Sequence, residues 1–171
     1  PQKVVFSGVG KRVDEIEYAL KMGILMFNIE SSQEIQVINE VAGRIGKKAN
    51  VAIRVNPDID PKTHPYISTG LKQNKFGIDI LRAQMAYRLA SQLPYLKIVG
   101  IDCHIGSQLI EVEPIIEALR KLKQLVENLR KEEMEIHYLD LGGGLGITYE
   151  DEEPPHPMEY ASSILEEIKG F

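Results

Sequence analysis

The chain has 171 residues, 43% hydrophobic and 26% charged, with a formal charge of −5. That is the composition of an ordinary soluble globular protein, long enough for one domain with a real core and too short for two large ones. The mildly acidic balance argues against nucleic acid as a partner, because phosphate backbones call for a basic surface. A single cysteine, Cys103, excludes an internal disulfide framework and any multi-cysteine metal site. No apolar run approaches the ~20 residues of a membrane span. The first residues show no charged leader before a long apolar stretch, so the expected setting is the cytoplasm and no membrane partner is expected.

Short β-branched or aromatic runs occupy residues 3–7, 25–29, 50–56, 96–104 and 136–141. Each is apolar almost throughout, as parallel strands covered on both faces are. Helical periodicity fills the intervals. Residues 13–22 place Val13, Ile16 and Leu20 on one face. Ser31 and Ser32 precede Glu34 and the apolar positions Ile35, Ile38, Val41, Ala42 and Ile45, the pattern of a serine-capped helix. Residues 81–93 and 114–131 follow the same rule, the latter with Ile115, Ile116, Leu119, Leu122, Val126 and Leu129 in one stripe. A last helix is predicted from residue 157 to about 169.

Five strand-then-helix units in a row predict an α/β fold with a parallel sheet. An open doubly wound sheet and a (β/α)8 barrel both fit, the barrel being incomplete here because it usually takes ~250 residues. Two loops break the rhythm. Residues 57–74 are rich in Pro, Asp, Thr and Gly, and residues 150–157 are acidic and proline-rich. Long loops in compact domains are more often functional than accidental.

Parallel α/β folds bind ligands where strands run out into loops. Those positions hold Ser7-Gly8, Glu30-Ser31, Arg54 with Asn56, His104-Ile105-Gly106-Ser107-Gln108, and Gly142-Gly143-Gly144-Leu145-Gly146. A glycine run can either make a tight turn or form a nest of backbone N–H groups for an anion. Named nucleotide motifs do not fit: a Walker loop ending at Lys11 meets Val5, and a dinucleotide fingerprint from Gly142 meets Ile147. His104 could stack on a planar ligand, act as acid or base, bind metal, or serve structure alone. Metal is disfavoured, since His64, His137 and His156 show no ligand spacing relative to it. Ser107 lacks a histidine–aspartate setting, so its hydroxyl suits phosphate binding better than nucleophilic attack. Arg54 alternates with Ala52 and Asn56 on one strand face and, if buried, needs a protein carboxylate or an anionic ligand group. Asp140 could hold a neighbouring polar group, and Cys103 should point away from the site as a small buried hydrophobe.

In this order, these residues resemble the alanine-racemase-like PLP enzymes and, within them, the diaminopimelate decarboxylases. The match runs through Val5-Phe6-Ser7-Gly8-Val9-Gly10-Lys11, Phe27-Asn28-Ile29-Glu30-Ser31 and Arg54-Val55-Asn56-Pro57. It continues in His64-Pro65-Tyr66-Ile67-Ser68-Thr69-Gly70 with Lys75-Phe76-Gly77-Ile78, then His104-Ile105-Gly106-Ser107-Gln108 and Leu141-Gly142-Gly143-Gly144-Leu145-Gly146. The segment from His64 is nearer to the diaminopimelate enzymes than to their ornithine- and arginine-acting relatives.

The resemblance implies a PLP-binding TIM barrel, represented over residues 1–171 by about five of its eight units, and a homodimer with active sites at the subunit interface. It implies that His104 stacks on the pyridine ring, that Ser107, Gly142, Gly143 and Gly144 bind the cofactor phosphate, and that Arg54 lies near the ring. The family reaction takes meso-diaminopimelate to L-lysine and CO2. Carboxynorspermidine, other basic amino acids, or cofactor binding without catalysis are the alternatives. The family's Schiff-base lysine sits in a Tyr-Ala-x-Lys-Ala-Asn segment. Tyr18-Ala19-Leu20-Lys21 matches half of it, but Met22-Gly23 follows within a helical pattern. Lys21 is therefore expected on a helix surface and the catalytic lysine upstream. The Glu-Pro-Gly-Arg segment and the C-terminal β-domain are expected beyond Phe171. This stretch alone is accordingly expected to be inactive.

Overall fold

The computed structural model describes residues 1–60 and 76–171. Its elements are β1 (Val5–Phe6), α1 (Val13–Met22), β2 (Met26–Ile29), α2 (Ser32–Arg44), β3 (Ala49–Asn56), β4 (Ile78–Asp79), α3 (Ile80–Ser91), β5 (Leu96–Asp102), α4 (Glu113–Lys131), β6 (Tyr138–Asp140) and α5 (Pro157–Glu167). Most of the loop over residues 57–74, including His64, lies outside the described residues.

All strand pairs are parallel and the order is β1-β2-β3-β5-β6, with β4 pairing the last two residues of β3. Alternation along the strands separates two faces. Phe27, Ile29, Val51, Ile53, Val55 and Ile101 pack in one cluster with residues from all five helices. Met26, Ala52 and Val99 form a small second cluster on the other face, with Val5 and Leu25. A doubly wound sheet reverses its strand order and carries helices on both faces. Here the order is sequential and the helices take one face, so the architecture is part of a barrel whose concave side is the interior.

The helices form where the sequence caps and stripes them. Ser31 Oγ accepts the Glu34 N–H at 3.2 Å to open α2, and Asp79 Oδ1 accepts the Leu81 N–H at 2.8 Å to open α3. The α4 stripe is buried at Ile115, Leu119, Leu122, Val126 and Leu129. Each such side chain removed from water contributes about 1.5–3 kcal/mol. Gly23 closes α1 with a left-handed φ of 68°.

Three details differ from the sequence expectations. A two-residue strand, β4, adds a sixth strand that is too short to leave a periodic signal. β5 ends at Asp102, so His104 stands just past the strand. β6 is only three residues long, starting at Tyr138. Among the described residues β1 pairs only with β2, and an apolar cleft of Val4, Phe6, Tyr18, Met22 and Ile24 lies beside it and α1.

Candidate functional site

Where the strands end, their inward positions alternate from apolar to polar. Below are Met26, Ala52 and Val99; above them come Asn28, Glu30, Arg54, Asp102 and Asp140. Strand register sets Arg54 beside Asp102, and Asp102 beside Asp140. Arg54 Nη1 donates to both oxygens of Glu30 at 3.0 Å, and its Nη2 reaches the His104 carbonyl at 3.5 Å. The two ion-pair side chains are 12% and 6% exposed, so the buried guanidinium has its anion within the protein. Phe76 stacks against Arg54 at 5.7 Å.

Asp140 joins the strands to the glycine run. Its Oδ1 accepts the Gly142 N–H at 2.8 Å, and its Oδ2 accepts Asn28 Nδ2 at 2.9 Å. Asn28 Nδ2 also donates to Ser7 Oγ at 2.6 Å, while the buried Asn28 Oδ1 has no hydrogen-bond partner among the described residues. Gly142 and Gly144 have φ of 67° and 100°, which only glycine adopts without strain. A Cβ on Gly142 would stand 2.5 Å from His104 Nδ1, and one on Gly144 would overlap the Gly106 carbonyl oxygen; at Gly143 there is open space. Hydrogen bonds from Leu109 N–H to the Gly144 carbonyl and from Gly146 N–H to the Leu109 carbonyl, at 2.8 and 2.9 Å, zip the loops after β5 and β6 together. His104, the exposed Ser107 and the three glycines thereby form one surface at the barrel mouth.

Burial, followed by the nearby Arg54 charge, lowers the His104 pKa below its ordinary value. The imidazole is therefore neutral at neutral pH and offers a flat, uncharged face. Burial and then the neighbouring Asp140 push the Asp102 carboxyl up to about 7. Cys103 faces the helix side in the main core, and its burial pushes the thiol pKa up, away from reactivity.

Other candidates lie elsewhere. Lys21 is an exposed residue of α1 paired with Glu17 at 2.6 Å. His156 Nδ1 accepts the Met158 N–H as the cap of α5, and His137 pairs with Glu135. Among the described residues no cluster of His, Cys, Asp or Glu could hold a metal, and no helix is long and apolar enough to cross a membrane.

The sequence reading missed Asn28, Asp102 and Lys11. The first two are polar residues on inward positions of otherwise apolar strands, so alternation alone could have flagged them. The side chain of Lys11 is 1% exposed; Nζ reaches the Gly8 and Asn28 carbonyls at 2.7 and 2.6 Å and Glu34 at 3.1 Å. Glu34 also accepts the Glu30 N–H at 2.7 Å, so Lys11 locks the loops after β1 and β2 to α2. No sequence spacing announces that contact.

Residues 1–171 match the family described as pyridoxal-dependent decarboxylase, pyridoxal binding domain. A diaminopimelate decarboxylase of Haemophilus influenzae is 54% identical over 99% of this chain and 41% of its own length. The crystal structure of diaminopimelate decarboxylase from Helicobacter pylori complexed with L-lysine superposes with a TM-score of 0.95, 46% identity, and coverage of 100% of this chain and 43% of that one. An alanine racemase of Clostridium difficile, 16% identical with a TM-score of 0.60 over 80% of this chain and 32% of its own, shares the fold alone. The chain spans about two fifths of the length of the curated relatives it matches. It belongs to the pyridoxal-dependent decarboxylase family, matching the pyridoxal binding domain along its whole length and resembling the diaminopimelate enzymes within it.

Proposed function

We propose that the protein carrying this domain decarboxylates meso-diaminopimelate to L-lysine and CO2 with pyridoxal 5'-phosphate. The observation that carries this reading is the likeness, at 46% identity and a TM-score of 0.95 along the whole chain, to a diaminopimelate decarboxylase crystallised with L-lysine. The site's own chemistry supports it. The open space over Gly143, the left-handed glycines that flank it and the exposed Ser107 hydroxyl are features an anionic cofactor would use, so the residues present fit the group.

In this reading the neutral His104 would hold the pyridine ring by stacking. Its position is fixed by close contact with Gly142, which Asp140 holds. Because the Gly142 N–H already serves Asp140, the Gly143 and Gly144 amides and the Ser107 hydroxyl would hold the phosphate. Arg54, with Glu30 on its guanidinium, would set the charge near the ring. When bound, the cofactor supplies an electron sink for the electron pair left as CO2 departs. Residues 1–171 form part of the barrel, and the catalytic lysine lies in another part of the polypeptide. The reading includes a homodimer and a cytoplasmic setting, as the family resemblance implies.

Purified full-length protein should retain PLP stoichiometrically through dialysis and release lysine and CO2 from meso-diaminopimelate in equal amounts. Preference for ornithine, arginine or carboxynorspermidine would reassign the substrate. PLP retention without turnover of any amino acid would leave a cofactor-binding barrel instead.

A further inference from the structure

Asp102 is a deeply buried carboxyl that has no cation to itself among the described residues. The group is 3% exposed and lies in register between Arg54 of β3 and Asp140 of β6. The charged and titratable groups around it are Arg54, Asp140, Glu30 just past the end of β2, Tyr87 of α3 and the neighbouring Cys103, whose backbone N–H also bonds to it. Three carboxyl groups thus share one guanidinium. Arg54 places Nη1 on both Glu30 oxygens, while Asp140 has both oxygens engaged by Gly142 and Asn28. Lys11, the other buried cation nearby, is held by Glu34 and two carbonyls. A second anion beside Asp140, removed from water, is costly unless it carries a proton.

We infer that Asp102 is a positioning residue that works in its protonated, neutral form. Neutral, it leaves Arg54 to Glu30 and Asp140 to Gly142. Ionised, it competes with Glu30 for Arg54 and repels Asp140, loosening the two attachments that set His104 and the glycine run. Its consequence for the cofactor rests on the PLP reading above; its protonation does not.

The linkage has a definite sign. A carboxyl that titrates near 7 in the folded protein and near 4 in the unfolded chain binds more protons when folded between those values. Its contribution to stability is complete below about pH 4, is lost as pH rises toward about 7, and is constant above that. Asp102→Asn mimics the neutral carboxyl in shape and removes the titration. In full-length apoprotein, the melting temperature of Asp102→Asn relative to wild type should climb between about pH 5 and 7 and then level off. In the holoprotein, the ratio of wild-type to Asp102→Asn Kd for PLP should rise at least about threefold between pH 6 and 8.5.

Parallel pH profiles for the two proteins, in melting and in PLP affinity, would overturn the inference. Should Asp102→Asn fail to fold, carboxyl ¹³C titration of aspartate-labelled wild-type apoprotein decides it. One aspartate titrating near neutral pH supports the proposal, and every aspartate titrating below about pH 5 overturns it. A wild-type protein that shows the neutral titration yet never retains PLP would sink the functional reading and leave the protonated Asp102 standing.

Discussion

Asn28 and Asp140 stand 112 positions apart in the sequence and meet through a hydrogen bond of 2.9 Å across the barrel interior. Through the second oxygen of Asp140 the contact extends to the Gly142 N–H, so a side chain on β2 helps to set a loop that follows β6. A buried hydrogen bond to a carboxylate contributes about 1.5–3 kcal/mol, and losing one partner leaves the other unpaired. Asn28→Ala and Asp140→Ala should each destabilise the full-length protein and together cost less than their sum. Urea denaturation in a double-mutant cycle measures this, with a coupling of at least about 1 kcal/mol expected. Strict additivity would show that the two side chains act independently.

The glycine run should respond unevenly to alanine. Gly142→Ala adds a methyl 2.5 Å from His104 Nδ1 at a φ of 67°, so the imidazole must move. Gly143→Ala meets nothing within 4 Å and should leave the fold intact. Equilibrium dialysis should find PLP affinity reduced at least about tenfold by Gly142→Ala. The bulkier Gly143→Val should weaken PLP far more than pyridoxal, because the lost contacts are those to phosphate. Equal losses for the two ligands would argue for general misfolding.

His104 is neutral and half-buried, so its proposed part rests on a flat ring more than on a proton. His104→Ala in the complete enzyme should weaken PLP retention or slow turnover at least about tenfold, or about 1.4 kcal/mol. His104→Phe should restore part of the retention, since stacking survives the change. Wild-type retention and rate in His104→Ala would remove the stacking assignment.

Glu30 and Arg54 illustrate how a buried pair resists single changes. Glu30→Ala takes the two-oxygen partner from the guanidinium and should cost about 3–5 kcal/mol. Replacing both, as Glu30→Leu with Arg54→Met, should cost clearly less, because neither member of the pair is left facing the other's loss. Chemical denaturation of the three variants compares them directly. A double variant as unstable as the single one would mean that Arg54 serves packing as well as charge.

Sequence by itself determined the alternation of strands and helices, the buried stripe of α4, the serine cap of α2 and the positions of His104 and the glycine run. These are local properties, set by periodicity, capping chemistry and the steric freedom of glycine. It also carried the family, because the motif segments keep their order along the chain. Periodicity left the barrel and the doubly wound sheet both open and the motif resemblance implied the barrel; the structure shows it, with the helices covering one face of the sheet. Tertiary structure alone gave Arg54 the carboxylate of Glu30, brought Asn28 to Asp140, buried Lys11 on Glu34 and set Asp102 between an acid and a base. Each of those partners is distant in sequence, and local periodicity holds no record of which residues meet when parallel strands curve around a shared interior. Burial then shifts the proton affinities of Asp102 and His104, which no spacing encodes, because desolvation is a property of the packed interior and not of the chain.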